Sequence, residues 1–194
     1  DFWGCDINPV ATLIADVKSR AYNPKQLQKY FDTIIERYDT TTFRTPKKYK
    51  SNQRIKFWFH LSQINRLYKL LRLIKNEIPA GKYRNFFLVA FSNILKGGSK
   101  WLTKSIKPTI DKKKGKKDIK QLFSFQMKMM IKSVEEANTQ ITSRAIQSRI
   151  ETSNFFDIDS TTPFVDMLIT SPPYVTSYEY ADLHQLSTLW LGYV

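Results

Sequence analysis

Apolar positions recur every three to four residues through the middle of this chain, and beyond Arg149 they fall instead into short runs bounded by turn residues. In "QLQKYFDTIIERY" Leu27, Tyr30, Phe31, Ile34, Ile35 and Tyr38 share one helical face, leaving Lys29, Asp32 and Glu36 to water. The stretch "TTTFRTPKKYKSNQR" has no period and predicts a loop. From Arg54 to Glu77, Trp58, Leu61, Ile64, Leu67, Tyr68, Leu71 and Ile74 predict a second, longer helix. A third is expected from about Tyr83 to the breaker pair Gly97-Gly98. A fourth starts near Asp118, with Ile119, Leu122, Phe123, Met127, Met130, Ile131 and Val134 on one face, and is expected to run past Ala145. Its Met and Phe stripe reads as core.

The two ends read differently. "DFWGCDINPVATLIADVKSRA" predicts the last residues of a strand ending near Asp6, a turn at Asn8-Pro9, and a helix to Ala21 with Asn8 as N-cap. A chain opening in mid-strand is expected of a fragment. "RIETSNFFDID" predicts a short strand and a turn, and "FVDMLIT" a fully buried strand of the parallel kind. A helix from about Tyr180 to Leu191 follows, burying Leu183, Leu186 and Trp190. Strand-helix units therefore flank a helical middle, which predicts an α/β chain: a partial Rossmann-like sheet in 1–21 and 150–194, interrupted by an all-helical insertion over 22–149.

Charge sharpens this division. All 31 Lys and Arg lie between Lys18 and Arg149, together with 8 of the 17 acidic residues, a net of +23 there against −9 in the two flanks. So concentrated a basic excess is the footprint expected for a polyanion, with DNA the leading partner. Lys112, Lys113, Lys114, Lys116 and Lys117, packed around Gly115, predict an exposed loop and are the foremost phosphate contacts. Trp58 and Trp101 could stack on bases, although core packing is the safer assignment. The single cysteine, Cys5, excludes an internal disulfide and a multi-cysteine zinc site, and fits a reducing, cytoplasmic compartment. His60 and His184 lack partners at metal-ligand spacing, so no metal is expected. No apolar run approaches the roughly 18 residues that span a bilayer, so no membrane is expected.

Between "FVDMLI" and the last helix stands Thr170-Ser171-Pro172-Pro173-Tyr174. Two prolines cannot donate ladder hydrogen bonds and hold φ near −65°, so a strand must end there in a stiff loop. An ordinary turn would do as much. Ligands of open α/β sheets, however, gather at the carboxyl ends of strands, and three predicted strands end in Asp6, Asn154 and this loop. An acidic side chain at such an end can accept from ribose hydroxyls, the role assigned to Asp6.

Together these blocks resemble the amino-directed DNA methyltransferases that use S-adenosylmethionine. "GCDINPVA", Gly4 to Ala11, is similar to the segment following that family's glycine-rich loop; "SNFFDI", Ser153 to Ile158, to the segment facing the cofactor adenine, with Asn154 where aspartate is usual; "TSPPY" to the catalytic loop. The resemblance covers the two ends and implies cofactor contacts from Asp6, Ile7, Asn8, Asn154 and Phe155. It implies catalysis by Ser171, Pro172, Pro173 and Tyr174, with Ser in the first position pointing to cytosine N4 more than adenine N6, and a restriction-modification setting with a cognate endonuclease as partner. An exocyclic amino group is a poor nucleophile because its lone pair is delocalised into the ring; the Ser171 hydroxyl and the Pro172 carbonyl can accept its two hydrogens and draw it toward tetrahedral geometry. The base must be flipped out of the duplex, and Tyr174 would stack on it. The glycine-rich loop is expected ahead of Asp1, so the chain alone is expected to bind cofactor poorly and to be inactive. Two other readings stay open: a non-catalytic basic DNA-binding module, and a methyltransferase acting on RNA or protein.

Overall fold

Two Asn-Pro pairs start the first two helices. Asn8 Oδ1 accepts from the N–H groups of Val10 (2.9 Å) and Ala11 (3.3 Å) to open α1, Pro9–Lys18. Asn23 Oδ1 does the same for Lys25 (2.9 Å) and Gln26 (3.4 Å) at α2, Pro24–Thr40. In each, proline occupies the first turn, where no backbone donor is needed. The computed structural model describes residues 1–140, 147–157, 165–171 and 180–193.

Strand β1, Phe2–Asp6, pairs in parallel with β2, Ser148–Thr152, Phe2 opposite Ser148 and Asp6 opposite Thr152. Helix α1 lies against this pair, and the Thr12 and Thr152 hydroxyls meet at 2.6 Å. The remaining helices are α3, Lys47–Ser51, α4, Gln53–Trp58, α5, Leu61–Glu77, α6, Lys82–Gly98, α7, Ile119–Gln140, and α8, Tyr180–Leu191. An α/β chain with a small parallel sheet and a dominant helical part results.

One apolar cluster joins both flanks to the middle. Leu13 and Val17 of α1 and Leu186 and Trp190 of α8 pack in the same core as Phe31 and Ile34 of α2, Leu67 and Leu71 of α5, Phe87 and Phe91 of α6, and Phe123 and Met127 of α7. Trp190, 1% exposed, stacks on Tyr49 at 5.3 Å and meets Phe59 and Phe91 edge-on. Gly98, at the end of α6, permits the close approach of α7, because a Cβ there would stand 2.7 Å from Ile119 Cδ1.

Several expectations need correction. The helix expected over Arg54–Glu77 is broken at Phe59, which is extended (φ −126°, ψ 146°). A continuous helix turns successive side chains about 100° apart; here Trp58 and Phe59 are both buried, which the extended residue allows. Part of the expected loop forms α3, where Tyr49 reaches the core. Helix α1 stops at Lys18 and the chain turns so that Tyr22 buries against Phe86 and Tyr83. Continuation of α7 past Ala145 falls outside the described residues. The segment Val165–Thr170, expected as a buried strand, is in no strand and is exposed, Ile169 to 85%. A parallel strand is buried only when strands flank it and helices cover it, and among the described residues the sheet consists of β1 and β2. Leu183 is 42% exposed, so α8 buries Leu186 and Trp190 without it.

Candidate functional site

The parallel strands end level with each other, and this levels the chemistry that follows them. Beyond the last rung the Ser153 N–H donates to the Asp6 carbonyl at 3.1 Å. Asp6 then turns the chain, its Oδ1 accepting from the Asn8 N–H at 2.7 Å. Asn154 makes the matching turn: its Oδ1 accepts from the Phe156 N–H at 3.2 Å and its carbonyl from Asp157 at 3.0 Å, giving a 3₁₀ turn over Phe155–Asp157. Asp6, Ile7, Asn8, Asn154 and Phe155, expected from sequence to act together, thus meet at one sheet edge. Ile7 (74%), Phe155 (62%) and Phe156 (88%) present apolar surface to solvent there.

The residues of the group offer different atoms. Asn8 Oδ1 is occupied by the first-turn N–H groups of α1, so through that oxygen the side chain positions the turn. Asp6 is exposed and, among the described residues, no hydrogen bond reaches its second carboxylate oxygen. With its Oδ1 in the turn, Asn154 offers outward its amide N–H₂, a donor where a carboxylate would accept. Carboxylate acceptor, amide donor and exposed apolar side chains form a set able to hold a nucleoside's diol, ring edge and ring face.

His184, for which no metal role is expected, is half-buried. Helix α8 packs on α1 and α6 and carries this half-buried imidazole into the field of Asp6. Burial holds its pKa below the usual histidine value, and the Asp6 carboxylate pulls the other way. Among the described residues no three His, Cys, Asp or Glu converge to hold a metal, and Cys5 is half-buried in β1.

Ser171 is exposed, while Pro172, Pro173 and Tyr174 lie outside the described residues. Of the lysine run, Lys112, Lys113, Lys116 and Lys117 are exposed. Lys114 is the exception: it is half-buried, and its Nζ donates to the carbonyls of Lys96 (2.8 Å) and Trp101 (2.6 Å), so it ties the loop down and is not a free phosphate contact. Trp58 and Trp101 are core, stacked at 5.1 Å. A cleft of about 190 Å³ between α6, α8 and residues 101–106 is walled by Leu95, Trp101, Ile106 and Leu183; the hydroxyls of Ser92 and Ser187 in its lining meet each other at 2.6 Å.

No protein-family model matches the chain, and neither the curated proteins nor the solved structures contain a significant match. Among the described residues no helix is long and apolar enough to cross a membrane.

Proposed function

We propose that this chain belongs to an S-adenosylmethionine-dependent DNA methyltransferase acting on an exocyclic amino group, cytosine N4 ahead of adenine N6. The observation that carries the reading is the shared carboxyl end of β1 and β2, where the Ser153 N–H donates to the Asp6 carbonyl just past the last pair of the ladder, with Asn154 following Ser153 and with Ile7 and Phe155 exposed. Carboxyl ends of parallel strands are where open α/β sheets take their ligands. The exposed residues fit a nucleoside, so the cofactor would lie with its ribose on the Asp6 carboxylate, its ring edge on the Asn154 amide and its ring face on Ile7 or Phe155. When bound, it supplies an electrophilic methyl group.

The protein's own part is to prepare the nucleophile. Ser171 Oγ and the Pro172 carbonyl accept the two amino hydrogens, and the imide fixes the second acceptor's direction before the base arrives. Tyr174 stacks on the extruded base. The basic middle holds the duplex through its phosphates. A cytoplasmic restriction-modification setting, with a cognate endonuclease as partner, belongs to the same proposal.

A second reading is favoured by Val165–Thr170, which just before Ser171-Pro172-Pro173 is exposed and, among the described residues, in no strand. On that reading the chain is a DNA-binding module and the β1–β2 pair is scaffold. The experiment uses the longest natural form of the protein with methyl-labelled cofactor and duplex DNA. Label in amino-methylated bases, lost in Ser171→Ala and Tyr174→Ala with DNA affinity kept, supports the enzyme. Tight DNA binding with neither cofactor binding nor label supports the module and sinks the enzymatic reading.

A further inference from the structure

Glu77 is the only acidic residue between Asp39 and Asp111, a span with 16 lysines and arginines. It is already matched, because Arg37 donates to its carboxylate at 2.8 Å. The fold gathers part of this uncompensated charge at the corner where α4 meets α5. The Lys100 N–H donates to the Trp58 carbonyl at 2.7 Å, and Lys100 Nζ reaches the Lys56 carbonyl at 3.1 Å. Gln63, buried on α5, donates to the Lys117 carbonyl at 2.8 Å. An antiparallel bridge between Trp101 and Ile110, with Asp111 N–H on the Lys100 carbonyl at 2.8 Å, holds the intervening loop in shape. The lysine-rich loop is therefore pinned by its backbone to the α4–α5 corner.

His60 caps this corner with Lys100 and Lys116 close by: burial first, then those two ammonium groups, hold its pKa below the usual value. Next to it Phe57 stands 56% exposed, its ring edge-on to the buried Trp58 at 5.0 Å. Trp58 and Phe59 fill the core beside it, and Phe57, next to the exposed Lys56, is left with its ring free to meet a flat partner.

We infer that the α4–α5 corner is a DNA-gripping face on which Lys56 and Lys116 meet backbone phosphates, Lys100 braces the corner, and Phe57 lies against an unstacked base. The inference rests on DNA as the partner in the proposed function, and not on methyl transfer. A polyanion suits the face because neighbouring cations are neutralised together with release of counterions, and an exposed aromatic ring offers a flat surface to any base.

The test is fluorescence anisotropy with the whole chain, without cofactor, against labelled duplex DNA over a salt series. Lys56→Gln combined with Lys116→Gln should weaken binding and reduce the slope of log affinity on log salt by about 2. Lys25→Gln with Lys29→Gln, on α2 beside Asp32, Glu36 and Glu135, should leave both unchanged. Phe57→Ala should cost more affinity for a duplex with an unpaired bubble than for a perfect one. Equal losses from the two lysine pairs, an equal Phe57→Ala effect on both duplexes, or tighter binding to RNA hairpins or anionic vesicles than to DNA would each overturn the inference. Label incorporation with DNA binding indifferent to this corner sinks the face alone; corner-dependent binding without incorporation sinks the enzyme alone.

Discussion

Replacing Asn8 separates a ligand contact from a structural one. Its side-chain oxygen satisfies two N–H groups of the first turn of α1, the bond to Val10 at 2.9 Å being good and that to Ala11 at 3.3 Å weaker. Val10 is fully buried, so water is poorly placed to replace the stronger bond. Loss of an N-cap costs about 0.5–2 kcal/mol, and the partial burial puts Asn8→Ala in the upper half, about 1–2 kcal/mol. With a urea dependence of about 2 kcal/mol/M, the unfolding midpoint should fall by about 0.5–1 M at unchanged slope. Asn8→Asp keeps an acceptor oxygen at the positive end of α1 and should recover most of that loss. Urea titration followed by far-UV circular dichroism measures all three proteins. An unmoved midpoint in Asn8→Ala, or equal destabilisation by Asn8→Asp, would refute the reasoning and return Asn8 to the pool of ligand contacts.

Trp190→Ala should destabilise by about 3–5 kcal/mol, the range for truncating a buried aromatic, seen as a large fall in melting temperature; a shift of a degree or two would mean that α8 is not anchored through this ring. Lys114→Met removes a charged donor from two backbone carbonyls and should cost about 1.5–3 kcal/mol, whereas Lys113→Met at an exposed site should stay within about 0.5 kcal/mol; equal effects would show that Lys114 is as free as its neighbour. His60 should titrate below 6.5 by proton NMR, and Lys116→Gln should move its midpoint upward. Because its folded pKa is depressed, protonation favours the unfolded chain: this contribution to stability is whole above pH 6.5 and is lost as pH falls toward the folded value. A midpoint unmoved by Lys116→Gln would remove Lys116 from the corner.

The sequence by itself determined those features whose cause is local. The Asn8-Pro9 start, the apolar stripe of α2, the end of α6 at Gly97-Gly98 and the span of α8 follow from caps, breakers and periods within a few residues, and the gathering of Asp6, Asn8 and Asn154 followed from reading two short runs as parallel strands with aligned ends. Tertiary structure decided what depends on neighbours distant in sequence. Phe59 leaves the helix because Trp101 and Trp190, far along the chain, offer separate places for two adjacent rings. Lys114 turns inward because the carbonyls of Lys96 and Trp101 are within its reach, while nothing in a run of identical lysines distinguishes it. Periodicity made Val165–Thr170 a buried strand, but an apolar run is buried only where other segments pair with it and cover it. His184 came within the field of the Asp6 carboxylate in the same way, from the docking of α8 on α1, two helices at opposite ends of the chain.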